Sequence, residues 1–119
     1  GAWYDPNHNG EGWLLDILPD DRATVAWFSY DPDGNQAWFL NNGTIASNQI
    51  TFELLKPSGT DFGPSFDTGE INNIAWGTAV FTFDDCNSGT MTYDSVLEGY
   101  GSGTMKLSRL TSLTGLECK

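Results

Sequence analysis

The residues best equipped for chemistry open the chain. In "DPNHNGEGW", residues 5–13, Asp5, Asn7, Asn9 and Gly10 fit the D-x-[DN]-x-[DN]-G spelling of a calcium loop, with Asp16 where a closing acid would fall. Alternating oxygen ligands around a glycine turn suit a hard cation. The same residues also spell a tight turn, and Trp13, Leu15 and Ile17 alternate as a strand where a calcium loop of this kind would need a helix. A turn is therefore the first expectation here, with Asp5, Asn7 and Asn9 as the ligands of a calcium alternative.

Catalysis has less to work with. His8 is the single histidine, and no G-x-S-x-G string accompanies it, so a Ser-His-Asp arrangement has no evident nucleophile. Sixteen acids leave room for a carboxylate pair that hydrolyses sugars, but no spacing singles one out. The reading is non-catalytic. Asn42-Gly43-Thr44 matches the short N-glycosylation pattern.

A third group is aromatic. "ATVAWFSYDPDGNQAWFL" (23–40) carries Asp-Gly between two aromatic runs, the signature of a hairpin. Facing Tyr30 with Gln36 puts Phe28 opposite Trp38 and Trp27 opposite Phe39. One side of the ribbon then holds Phe28, Tyr30 and Trp38; the other holds Val25, Trp27 and Phe39. Only one side can face a core. The other meets a ligand, a second layer or water. Flat rings stack on the apolar faces of sugars, and nearby amides fix the hydroxyls. Phe28, Tyr30 and Trp38 are thus the candidate platform, with Gln36 and Asn41 as polar contacts and Trp3 and Trp76 as outlying candidates. The competing expectation is that these rings are core.

The elements that must position these residues follow a period of two. Ile50, Phe52 and Leu54 alternate with Thr51 and Glu53; Met91 with Tyr93, and Met105 with Leu107, share a face against Thr and Lys. Such segments are half-buried antiparallel strands. Eight are expected, at about 2–5, 12–18, 22–30, 36–41, 49–55, 74–84, 89–94 and 103–110. They are separated by turn signals at 19–21, 31–35, 41–43, 56–59, 84–89 and 99–103. The long connection 56–73 has the length of a functional loop. No helix is expected. The fold class is all-β, an eight-stranded antiparallel meander closed as an up-and-down barrel or folded as a two-sheet sandwich. The barrel is favoured because closure removes exposed edges. Ala75, Gly77 and Ala79 would permit a sharp bend or a close neighbour.

The totals fit one domain over 1–119. The 119 residues contain five Trp, four Tyr and seven Phe, which is too aromatic for a disordered chain. A net charge of −11 argues against nucleic acid and anionic lipid as partners. No run of ~18 apolar residues marks a membrane span. The start at Gly1, directly before expected structure, reads as a mature form or an excised domain. Cys86 and Cys118 form no C-x-x-C pair, so a disulfide pinning the C-terminus is expected, worth about 3–4 kcal/mol by chain entropy. Such a bond places the protein in an oxidising setting: secreted, periplasmic or at the cell surface.

Three strings carry a resemblance: W-Y-D-P at 3–6, G-E-G-W at 10–13 and W-F-S-Y-D-x-x-G-N-Q-A-W-F at 27–39. They resemble a Trp-rich module of secreted or surface-attached bacterial proteins, to which no activity is attached. The match spans residues 1–43. Asp5-Pro6 and Asn9-Gly10 stand where that module has Asn-Pro and Ser-Gly, so the cation-like spelling is partly this chain's own. "GAWY" also resembles the first strand of avidin-type barrels, over too few residues to imply biotin. The leading expectation is a secreted carbohydrate-binding module. Its alternative is a structural or protein–protein interaction domain that docks on neighbouring domains of a longer chain.

Overall fold

Alternation organises the whole chain into strands in the computed structural model, which describes residues 1–116. The strands are β1 (Ala2–Tyr4), β2 (Gly12–Leu18), β3 (Arg22–Tyr30), β4 (Gln36–Ala46), β5 (Gln49–Ser58), β6 (Asn72–Phe83), β7 (Ser88–Ser95) and β8 (Ser102–Arg109). Each pairs antiparallel with the next, and β1 pairs back onto β8 through Trp3↔Arg109 and Tyr4↔Ser108. The sheet is a closed barrel, so the sandwich alternative is set aside. Closure removes the strand edges around the barrel itself; only the projecting ends of β5 and β6, which pair with each other alone, lie beyond it.

Inward positions fill the barrel. Trp13, Leu15, Val25, Trp27, Phe39, Ile50, Phe52, Leu54, Trp76, Ala79, Phe81, Met91 and Leu107 are all buried. Rings mesh across it, with Trp27 edge-on to Phe39 at 5.3 Å and Phe52 edge-on to Phe81 at 5.3 Å. An eight-stranded barrel is just wide enough for side chains to fill or to hold one small ligand.

Two boundaries differ from the sequence reading. Residues 41–43 lie inside β4 rather than in a turn, and the chain reverses at Ser47–Asn48, where Ser47 takes φ 58°. Gly43 is needed there for space. A Cβ on it would sit 2.4 Å from the Thr51 carbonyl oxygen and 2.5 Å from Cδ1 of Phe52. The connection after β5 is also shorter than expected. Lys56, Pro57 and Ser58 pair with Ile74, Asn73 and Asn72, so β5 and β6 extend as a hairpin and the loop shrinks to 59–71. Two single 3-10 turns, Gly63–Ser65 and Thr68–Glu70, occupy that loop.

Of the two expectations for Ala75, Gly77 and Ala79, the close neighbour is present. The β5–β6 register shifts between Leu54 and Leu55, and Gly77, at φ 147°, comes so close to β7 that a Cβ would lie 2.2 Å from the Asp94 carbonyl oxygen. The meander sends the loops 5–11, 31–35, 59–71 and 96–101 to one end of the barrel. We refer to this end as the mouth.

Candidate functional site

The β3–β4 pairing puts Tyr30 opposite Gln36, Phe28 opposite Trp38 and Trp27 opposite Phe39, as the hairpin signal predicts. Trp27 and Phe39 are buried, whereas Phe28, Tyr30 and Trp38 are 45%, 45% and 48% exposed. The Phe28 and Trp38 rings have centroids 6.3 Å apart and planes within 1° of parallel. Beside them is a surface cleft of about 480 Å³ lined by Gly10, Phe28, Ser29, Tyr30, Gln36, Ala37 and Trp38. Four of the seven expected contacts therefore share one face.

The other three lie elsewhere. Asn41 is in register with buried Val25, on the opposite side of the ribbon from Phe28. Its Nδ2 donates to the Glu53 carbonyl at 2.7 Å and its Oδ1 accepts from the Asn42 N–H at 2.8 Å. The first of these bonds ties β4 to β5. Trp3 is buried at the end away from the mouth, beneath the Arg109 guanidinium at 4.9 Å and against Phe83. Trp76 is buried in the barrel, 4.7 Å from Phe39 and 5.5 Å from Tyr100. Neither indole belongs to an outer platform. Both face inward in their strands, a parity that an isolated Trp in the sequence does not declare.

The opening loop is built by its own backbone. Asp5 is 5% exposed; Oδ1 accepts from the Asn7 N–H at 2.9 Å and Oδ2 from the Lys106 N–H at 3.2 Å. Two successive turns follow, closed by His8 N–H to Asp5 carbonyl and Glu11 N–H to His8 carbonyl. Burial pushes the Asp5 carboxyl up, but the Asn7 and Lys106 N–H groups and the charges of His8 and Lys106 outweigh it, and its pKa falls below the ordinary value. Both Asp5 oxygens are engaged by the backbone, and Asn7 and Asn9 are exposed. Among the described residues no cluster of three or more His, Cys, Asp or Glu side chains is arranged to hold a metal. Through its bonds to Asn7 and Lys106, Asp5 fastens the β1–β2 loop to β8. Asp31 does the same for its own loop, accepting from the Asp33 and Asn35 N–H groups at 3.0 and 2.9 Å.

Glu11 is the residue that the sequence undervalues. It accepts from the Ser29 hydroxyl and sits 3.1 Å from Nδ1 of His8. The hydrogen bond to Glu11 holds the His8 pKa above its ordinary value, against the effect of burial. The carboxylate lies between hydroxyl and imidazole. His8 is therefore not placed as a base for Ser29, unlike the histidine of a hydrolase triad. Tyr100, hidden in the turn string "GYGSG", lies across Phe39 and Trp76 at 5.7 and 5.5 Å. Burial raises its pKa, with the charges of Asp31 and Asp33 adding to the effect. The neighbouring Trp76 indole N–H acts in the opposite direction on the hydroxyl and lowers its pKa.

Comparison with protein-family models, with curated proteins and with solved structures finds no match to this chain. Cys86 is half-buried at the β6–β7 turn, and its expected partner Cys118 lies outside the described residues.

Proposed function

We propose that this chain is a non-catalytic binding module of a secreted or cell-surface protein, and that its Phe28–Trp38–Tyr30 face holds a neutral polysaccharide. The observation that carries the reading is the parallel, half-exposed pair Phe28 and Trp38 beside a cleft with Gln36 at its edge. Large rings left open on a barrel whose core is already full are available for contact. The exposed parts of these rings supply apolar contact, and Gln36 supplies a donor and an acceptor for hydroxyls. The net charge of −11 suits an uncharged partner. The Trp-rich resemblance of residues 1–43 supports a secreted bacterial setting.

A second reading, a protein-interaction or structural domain, draws on a different observation. Leu14, Ala26, Leu40 and Leu55 are consecutive cross-strand partners on the outer wall, and Leu14 is 49% exposed. That apolar row extends the aromatic face across four strands, as a docking surface would.

The test is binding of the full chain to an array of plant, algal and bacterial polysaccharides, with and without calcium. A selective hit is expected, independent of calcium. Phe28→Ala and Trp38→Ala are each expected to weaken it about tenfold, equivalent to about 1.4 kcal/mol, with the fold intact because both rings are half-exposed. A blank array, or a hit that both variants retain, would leave the interaction reading in its place.

A further inference from the structure

The end of the barrel opposite the mouth is open and apolar. Strand alternation aims Ile17, Ile45 and Phe83 inward, in step with Leu15, Phe39 and Phe81 of the same strands. Yet none of the three is buried, and Ile17 is 67% exposed. The strands run on past the last core layer, where Trp3, Leu15 and Ile50 are buried. These six side chains line a surface pocket of about 440 Å³, rimmed by the turns at Ser47, Asn48, Asp85 and Cys86. Inward-pointing apolar groups that reach solvent are available to a ligand.

Arg109 lines the same pocket. It follows the inward parity of Leu107, and its guanidinium lies over Trp3 at 4.9 Å while Nε donates to the Cys86 carbonyl. Its two terminal nitrogens bond no acceptor among the described residues. No described carboxylate pairs with it either, although the chain has sixteen acids. Of the two acids at the pocket, Asp16 has the outward parity of β2, and Asp85 accepts from the Asn87 N–H at 2.7 Å in its own turn. Charges drawn partly out of water are ordinarily paired. Arg109 is half-buried, and the side on which it lacks a partner is the pocket.

We propose that this pocket binds an aliphatic monocarboxylate, with its chain against Ile17, Ile45 and Phe83 and its carboxylate on Arg109. The site lies at the other end of the barrel from the Phe28–Trp38 face and stands whether or not that face holds a glycan. The walls select the ligand. Ile17, Ile45, Ile50 and Leu15 ask for a flexible apolar chain. Trp3 gives its face to the guanidinium and meets Phe83 edge-on at 5.3 Å, so the ring face that could stack a flat ligand is taken. A guanidinium offers two parallel N–H groups that match a carboxylate. One such fork in a chain of net charge −11 suits a single negative charge and not two. The volume falls within the ~300–1,000 Å³ of small-molecule sites.

The experiment titrates the full chain at neutral pH with octanoate, decanoate and decyltrimethylammonium, all below micelle formation. NMR follows the indole N–H groups of Trp3 and Trp38 and the methyl groups of Ile17 and Ile45. Decanoate is expected to shift Trp3, Ile17 and Ile45 and to leave Trp38 still. Octanoate, shorter by two methylenes, is expected to bind roughly tenfold more weakly. The ammonium is expected to bind this pocket at least tenfold more weakly than decanoate, although the net charge favours it everywhere else. Ile17→Asp is expected to cost decanoate binding at least tenfold with the fold intact, because Ile17 is exposed. The wild-type comparison decides the charge preference without any change at Arg109, which also packs on Trp3. The site is overturned if decanoate leaves Trp3, Ile17 and Ile45 unmoved, if it shifts Trp38 instead, or if the ammonium binds the pocket as tightly. None of these results bears on the polysaccharide array.

Discussion

Asp5 shows what one carboxylate does when both its oxygens are claimed by backbone. It closes the β1–β2 loop through Asn7 and binds that loop to β8 through Lys106. Charge-assisted bonds of this kind contribute more than neutral ones. Because its folded pKa lies below the ordinary value of 3.8, the stability it contributes is present above that value. It is lost as pH falls through the lower folded pKa. Asp5→Asn is therefore expected to lower stability at pH 7 by about 2 kcal/mol, the scale of a bond to a charged group. Urea unfolding at neutral and acid pH checks this: the wild-type and variant curves should converge as the carboxylate protonates. Equal acid sensitivity in both would mean that another group carries it. His8 runs the other way. Its raised pKa makes its bond to Glu11 strongest below 6.5 and weaker as pH rises through the folded pKa.

At the scale of elements, the β5–β6 hairpin depends on a single glycine. Gly77 combines a left-handed φ of 147° with backbone contact to Asp94 and Ser95 that leaves no room for a Cβ. Gly77→Ala is expected to destabilise the barrel by at least about 2 kcal/mol, from strain at a φ that L residues avoid together with overpacking. Thermal unfolding measures it; a variant as stable as wild type would mean that the bulge relaxes freely. This close approach was legible in the small residues Ala75, Gly77 and Ala79, as the strands were in their period of two. The hairpin register was legible too, since Asp-Gly fixes which residues face each other. Asn41-Asn42-Gly43 was misread because its composition is that of a turn, whereas Gly43 is there to make room for Phe52 from the next strand. The site was legible where neighbours in one hairpin build it, as Phe28, Tyr30, Gln36 and Trp38 do. It was not legible where distant strands meet. Glu11 from the first loop, Trp76 from β6 and Tyr100 from the last loop come together only once the barrel closes.

At the scale of the molecule, closure is also the weak point. β1 has three residues and pairs with β2 and with β8 through two registered positions each, against seven to ten along the β2–β3, β3–β4 and β5–β6 seams. Side chains reinforce this seam at the end away from the mouth. Arg109 donates through Nε to the Cys86 carbonyl at 2.9 Å and covers Trp3, and its N–H bonds the Asn87 carbonyl. A bond from Cys86 to Cys118 would hold the segment after β8 to the same β6–β7 turn, so its loss should be felt first where β1 meets β8. We expect a thiol assay under denaturant without reductant to find no titratable thiol. Reduction is expected to lower stability by about 3–4 kcal/mol and to speed hydrogen exchange at Trp3, Tyr4 and Arg109 before the β3–β4 amides. Two titratable thiols would remove the bond, and with it the argument for an oxidising compartment. The packing around Arg109 and Trp3 would then be what closes the barrel.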